Sequence, residues 1–511
     1  MNLPSISAFD RTGGQDADIC LIVEGCYPHI LGGVSSWVDW LMRSLPDHSF
    51  ALISVVSGTE PRVGKYAFPP NLVKFAELDL KGPVPSGRKS YFKIDAQQSE
   101  AFADVLADLV TEGGSDALSE LLSEMDKFPS YPTYQCLTKS EFAWQVVCAM
   151  YRRLMPESSF IDFYWAWQSL VGGLFAILMF PLPGARIFHT ISTGYAGMLA
   201  ARAAIETRRR AIVTEHGVYT NERRIEILTA DWIADTIDNG LAINSRRLDL
   251  RDLWIKTFES YARTCYQTCE AITTLYSDNQ KLQIDLGAAL EKLVIIPNGI
   301  DVNRFGSVKP AFGHPPTVAL VGRVVPIKDV KTYIASARIV RDAIPEVCVL
   351  VLGPLDEDPD YAEECRSMIE DLGLSDTVVL AGRVNVMEWL PRIHVMVLSS
   401  LSEAQPLTVL EAGAAGIPCV TTNVGSCREI LHGMDNEDPS FGIGGIITDV
   451  VAPDQIAEGV ISLLRDEALR AQMGSNLRAR VREFYTSDRS RDAYAGLYDL
   501  QHFQEARRWQ A

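Results

Sequence analysis

Six times between residue 317 and the region of Pro453, the sequence alternates short, β-rich apolar runs with helical stretches, and that alternation leaves few folds open. The runs lie at 317–320, 347–352, 377–380, 394–398, 419–422 and 446–447, and the helical stretches begin near Asp329, Asp360, Val386, Pro406, Ser426 and Pro453. Strands this uniformly apolar belong in a parallel sheet covered on both faces. Strict strand–helix order therefore predicts a doubly wound parallel sheet. The first half repeats the signal at 19–23, 50–56, 72–80, 185–191, 211–214, 271–275 and 293–296. There it is interrupted by an insertion (about 91–180) in which helical periodicity dominates, over 96–125 and 140–154. Residues 303–316 carry Gly and Pro at linker density, and 81–90 read as a long surface loop. The expected domains are 1–302, with the insertion, and 303–485, followed by a terminal helix over 486–511. In that last segment Tyr494, Leu497, Tyr498 and Trp509 are spaced to bury a stripe.

Composition narrows the partners. The 511 residues hold 47 Lys plus Arg against 65 Asp plus Glu, a formal charge of -18 that would repel a phosphate backbone, so nucleic acid is not an expected partner. Ten cysteines are scattered from Cys20 to Cys427. The closest pairs, Cys265/Cys269 and Cys419/Cys427, fit neither C-x2-C metal ligation nor a small disulfide scaffold, and they read as reduced thiols of a cytosolic protein. The longest apolar stretch, 170–185, contains Pro181 and Pro183 and falls short of the roughly 20 residues a bilayer requires. The polar first 18 residues lack a signal pattern. A cytoplasmic protein is expected. Arg208 to Arg210, Arg223/Arg224 and Arg246/Arg247 could face acidic membrane partners, though solvated helix faces account for such runs more simply.

Open parallel sheets bind ligands at the carboxyl ends of their strands. Two such domains in one chain predict a cleft, lined by whatever sits there. After 317–321 come Gly322 and Arg323, then Lys328, two cations in one loop and suited to a diphosphate. After 394–398 the chain reads SSLSEAQPLTVLE. Pro406 is placed as the first residue of the next helix, leaving the amides of Leu407 and Thr408 to meet an anion. Glu403 and Glu411, eight residues apart, could grip two hydroxyl-bearing parts of one ligand, or be a dipole-favoured Glu and a solvated one.

Arg323 with Lys328, the Glu403-x7-Glu411 pair and Pro297-Asn298-Gly299-Ile300-Asp301 together resemble the retaining GT-B nucleotide-sugar glycosyltransferases of family 4. The resemblance implies two facing doubly wound, Rossmann-like domains. The second would bind a UDP-sugar: Arg323 and Lys328 on the diphosphate, Glu411 on the ribose, Glu403 near the sugar ring, with Gln405, Leu407 and Thr408 beside them. Pro406 departs from the family, where Gly is common. In the first domain Gly32 and Gly33 resemble the family's glycine-rich loop, and His216, in Thr-Glu-His-Gly after a strand, takes the place of its active-site histidine. His189, at the preceding strand's end, is a weaker candidate. The terminal helix would pack back on the first domain, as in this fold.

Over nearly its full length, including Glu24-Gly25, Leu31-Gly32-Gly33-Val34-Ser35-Ser36-Trp37 and the insertion, the chain is similar to the PelF-type enzymes of bacterial Pel exopolysaccharide production. That similarity implies transfer from a UDP-sugar to a growing polysaccharide, in the cytoplasm, beside an inner-membrane synthase and export complex. No metal or other cofactor is expected. Asp16-Ala17-Asp18 and Asp356-Glu357-Asp358 satisfy a D-x-D metal pattern but read as solvated acids. Two alternatives stay open: a UDP-sugar epimerase, which would turn over without acceptor, and a non-catalytic nucleotide-sugar-binding subunit of a synthase complex.

Overall fold

The apolar runs form two parallel sheets in a computed structural model that describes residues 16–58, 62–81, 96–128, 132–229, 249–311, 313–434 and 437–499. The first sheet comprises β1 (Ala17–Glu24), β2 (Phe50–Val56), β3 (Leu72–Asp79), β4 (Ala185–Thr190), β5 (Arg210–Glu215), β6 (Ala271–Thr274) and β7 (Leu293–Ile295), in the order β3-β2-β1-β4-β5-β6-β7. The second comprises β8 (Thr317–Val321), β9 (Cys348–Leu352), β10 (Val378–Gly382), β11 (Val395–Leu398), β12 (Cys419–Thr422) and β13 (Gly445–Thr448), in the order β10-β9-β8-β11-β12-β13. In both, the order reverses beside the first strand, which makes that strand's carboxyl end a topological switch point. Helix coverage explains the strand composition. All seven residues of β2 are buried, whereas the edge strand β3 exposes Val73 and Glu77.

The chain divides into two units. One takes the described residues up to Thr274, Asn279–Val294 and the stretch beginning at Leu497; the other takes Leu275–Asp278 and Ile295–Gly496. In the first, the described residues of the insertion form five helices: Ala96–Thr111, Ser115–Asp126, Tyr134–Lys139, Glu141–Leu154 and Phe160–Met179. The periodicity over 96–125 is thus two helices. Gly113 and Gly114 adopt φ of 69° and 106° and end the first one. Thr133, Ser140 and Ser159 start the later helices by accepting from the amides of Cys136, Ala143 and Asp162.

Several expectations need correction. The first ten residues of the apolar stretch at 170–185 are the end of a longer helix: Phe160–Met179 has 20 residues and is long and apolar enough to cross a membrane by length and composition. Asp162, Tyr164 and Gln168 interrupt the apolar run over its first half; 67% of its most apolar window is buried inside the first unit. The linker 303–316 begins inside a short helix, Val302–Gly306, capped by the Asp301 carboxylate. Of the D-x-D acids, Asp16 and Asp356 are exposed as expected, but Asp18 and Asp358 are not simply solvated. Asp18 accepts from the Ser49 amide (2.9 Å) and hydroxyl (2.7 Å), which lower its pKa against the opposing effect of burial, and Asp358 caps the helix Pro359–Asp371. Of the basic runs, Arg210 pairs with Glu270 (2.6 Å) and Arg223 with Glu226 (2.7 Å). Arg246/Arg247, Trp509 and all but the first residue of the loop at 81–90 lie outside the described residues. All ten cysteines are free, and Cys265 and Cys269 lie with their sulfurs 3.7 Å apart.

Candidate active site

In the second unit the charged residues sit where β8 and β11 end. β8 runs through Gly322 and Arg323 into a single turn, Pro326–Lys328. Asp329 follows at φ 45°, a conformation costing a non-glycine residue about 1–2 kcal/mol, and its carboxylate caps the helix Val330–Ala343 through the Thr332 amide (3.3 Å). The loop's backbone is fixed by its neighbour. The Ser399 hydroxyl donates to the carbonyls of Lys328 (2.9 Å) and Asp329 (3.0 Å), and the Leu401 amide donates to that of Ile327 (2.9 Å).

These bonds deliver Lys328 to Glu403. Lys328 Nζ and Glu403 Oε1 lie 2.5 Å apart, and the Ser400 hydroxyl donates to the same oxygen at 2.7 Å. Their side chains are only 20% and 13% exposed, so this pair is screened less than a surface pair. The Glu403 loop is held by close backbone contact. Gly425, at φ 52°, packs so tightly that a Cβ there would stand 2.2 Å from the Ala404 carbonyl oxygen, while the Ser426 amide donates to that oxygen at 2.8 Å. Only glycine fits.

Pro406 is not the first helical residue. It caps the helix Leu407–Ala415 with ψ of 106°, its carbonyl accepting from Val409. The extended ψ lets the chain turn from the Glu403 loop before the helix starts. Leu407 and Thr408 therefore open the helix, where amides have no partner within it. Gln405 is buried and accepts from the Asn298 amide through Oε1 (2.7 Å), tying the Pro297 to Asp301 segment to the same loop. Gln405 Nε2, Asn298 Oδ1 and the Ser426 hydroxyl are buried there without a partner among the described residues. Arg323 is exposed and pairs with Glu357 (2.8 Å). Glu411 is largely buried, and that burial pushes its carboxyl up to about 7 despite the opposing charge of Arg304.

In the first unit, the sheet brings His216 and His189 to adjacent strand ends in unlike environments. His189 is wholly buried with both ring nitrogens engaged, Nδ1 with the Tyr498 hydroxyl (2.6 Å) and Nε2 with that of Thr214 (2.8 Å). His216 has no hydrogen-bond partner on either nitrogen among the described residues, and its ring meets Trp37 edge-on with centroids 4.6 Å apart. Burial lowers its pKa to about 4, so it is neutral at pH 7. Gly32 and Gly33 precede and start the helix Gly33–Ser44, and a Cβ at either would meet nothing within 4 Å among the described residues. The packing of the described residues gives no reason for glycine there.

Residues 17–291 match a family described as "Domain of unknown function (DUF3492)", more than half of the chain. The chain belongs to the DUF3492 family. In this DUF3492 protein residues 304–480 match a second family, "Glycosyl transferases group 1". Among curated relatives, the D-inositol 3-phosphate glycosyltransferase of Paenarthrobacter aurescens is 28% identical over 41% of this chain and 54% of its own. The chain thus spans about half the length of that relative. Among solved structures, sucrose-phosphate synthase from Thermosynechococcus elongatus superposes with a TM-score of 0.55 at 14% identity, covering 94% of this chain and 98% of that one. Anabaena HepE, solved in complex with UDP and glucose, gives 0.54 at 14% identity, covering 94% and 99%. The DUF3492 chain has the GT-B fold class: two Rossmann-like domains built on parallel sheets of seven and six strands.

Sequence reasoning missed the acids that organise the first unit of the DUF3492 protein. Glu24, ending β1, accepts from the Tyr219 hydroxyl (2.8 Å) and the Ala196 amide (3.0 Å). Glu215, fully buried at the end of β5, accepts from Tyr266 (2.5 Å), Gln283 (2.9 Å) and the Tyr219 amide (3.2 Å). Carboxylates closing two apolar strands, one on either side of β4, were the available signal. Glu411 yields a pH prediction. Its folded pKa of about 7 lies above the unfolded value, so the native state holds a proton the unfolded chain has released, and stability falls as pH rises through that window. Glu411→Gln should therefore gain melting temperature relative to wild type between about pH 5 and pH 8. A difference independent of pH would show that the carboxylate is not held protonated.

Proposed function

We propose that this protein is a retaining glycosyltransferase that moves a hexose or N-acetylhexosamine from a UDP-sugar to a growing polysaccharide of the Pel type, beside a membrane synthase and export complex. The observation that carries the reading is the Lys328–Glu403 pair, set at a strand end next to the opening amides of Leu407–Ala415. A diphosphate arriving there would draw Lys328 away from Glu403 and meet Arg323 and the helix N-terminus, which together supply the positive potential that a leaving diphosphate needs without a metal. Glu411, once ionised, accepts from ribose hydroxyls, and Glu403 is left facing the sugar.

Three further features support the proposal. Gln405 Nε2, Asn298 Oδ1 and the Ser426 hydroxyl are buried polar groups for which a ligand would provide partners. Gly32 and Gly33 border a space that none of the described residues fills. Neutral His216 holds two buried nitrogens without a partner among the described residues, groups for which a ligand at that strand end would provide partners. That the Anabaena neighbour was solved with UDP and glucose supports uridine as the base.

Calorimetric titration with UDP, GDP and ADP tests the donor. UDP should bind most tightly, and Lys328→Ala should weaken it by about 1.5–3 kcal/mol, roughly ten- to a hundredfold. Equal affinity in wild type and variant would refute the site.

A further inference from the structure

The helical insertion holds a cavity of about 340 Å³, within the size range of small-molecule sites. Its apolar wall is aromatic: Trp144, 54% exposed, with Tyr164 and the buried Trp167. Leaving an indole half in water is unfavourable unless something covers it. The aromatic surface continues outside the cavity. Trp144 meets Phe160 at 5.6 Å between centroids, Tyr164 meets Trp165 at 5.4 Å, and Trp165 is 65% exposed.

The other wall is polar. Lys139 and Glu141 flank Ser140 at the junction of two helices, and neither enters an ion pair among the described residues. Gln168 donates through Nε2 to the Thr138 carbonyl (3.1 Å) and the Tyr164 hydroxyl (3.4 Å), which orients its amide while Oε1 keeps its acceptor capacity. One positive and one negative side chain cancel, so the cavity is not built for an anion such as a nucleotide. Half of its lining residues are polar, which suits neither a lipid chain nor an apolar helix.

A neutral ligand with one apolar face and many hydroxyls fits all of these features. The C–H face of a pyranose lies on an indole or phenol ring, while its edge hydroxyls donate to Glu141 and Gln168 and accept from Lys139. We propose that this cavity and its aromatic flank bind a saccharide chain, as a holding site separate from the strand ends. Resting on the glycosyltransferase reading, the bound chain is the polysaccharide acceptor. Tethering it here raises the effective concentration of its growing end, as any second binding site on one molecule does.

The test titrates the full chain with cellotetraose and chitotetraose, followed by tryptophan fluorescence and by ligand-observed NMR, alongside UDP by calorimetry. At least one tetraose should bind saturably. Trp144→Ala and Gln168→Ala should each weaken it about tenfold, Trp144→Phe should retain most of the affinity, and UDP binding should be the same in all. If wild type binds UDP but neither tetraose, or if Trp144→Ala binds like wild type, the holding site is overturned and the donor reading stands. Tetraose binding without any nucleotide binding would support the holding site and remove the donor reading. Trp144-dependent binding to phospholipid vesicles with no tetraose binding would overturn the proposal in favour of a membrane contact.

Discussion

Replacing Glu403 with glutamine is expected to lower turnover by about a hundredfold or more while leaving UDP affinity unchanged or slightly improved. Glutamine keeps the size of the side chain and can still accept from the Ser400 hydroxyl, so the loop held by Gly425 and Ser426 has no reason to move. What disappears is the negative charge. In the proposed reaction that charge faces the sugar as positive character develops there, in a site screened less than the protein surface. The same charge holds Lys328 at 2.5 Å, and its removal releases the ammonium to meet a diphosphate. Steady-state kinetics separate the two effects. If KM for the donor rises as much as kcat falls, Glu403 acts as a binding residue and its assignment beside the sugar ring is wrong.

A larger effect on stability is expected at Arg480, which no functional reading uses. Its side chain is fully buried with Glu437 (4% exposed), to which it donates through Nε (2.5 Å) and a terminal nitrogen (2.9 Å). It also donates to the carbonyls of Leu431 (3.1 Å) and Gly442 (2.6 Å). One residue of the helix Glu467–Phe484 thereby ties down the segment joining the helix Cys427–His432 to β13. Arg480→Met leaves a buried carboxylate without its cation, and breaking such a pair costs about 3–5 kcal/mol. Arg480→Met with Glu437→Leu should recover most of that loss, because two apolar side chains leave no charge stranded. Urea denaturation of both variants measures the difference. A single variant within about 1 kcal/mol of wild type would show that water reaches Glu437.

Both sheets were legible because parallel strands covered on two faces are apolar throughout, and no other common element repeats so briefly and so often. The residues at the strand ends could be placed for the same reason. Their partners could not. Lys328 and Glu403 are 75 residues apart, and nothing local says that Ser399 and Leu401 hold one loop against the other. His189 and His216 looked alike in sequence, since both close a strand. They differ because Thr214 and Tyr498 converge on one ring and Trp37 turns its edge to the other. Pro406 was misplaced by one position because proline fixes φ and leaves ψ open, and it is ψ that decides whether the residue is helical. Phe160–Met179 was read too short because polar residues in its first half break the run of apolar letters without breaking the helix.

The hydroxyl that Tyr498 presents to His189 joins positions 309 residues apart, and its backbone carbonyl accepts from Arg210. On a ribosome adding about 5–20 residues per second, that span takes roughly 15–60 s to make. The first unit is therefore synthesised early and completed late. Throughout the interval its core has to form without one of the groups that line it, while the apolar Phe160–Met179 segment has already been made. The order of synthesis and the order of assembly are opposed in this chain. A version ending before Tyr498 loses a core contact of its first unit even though the cut falls at the far end of the sequence.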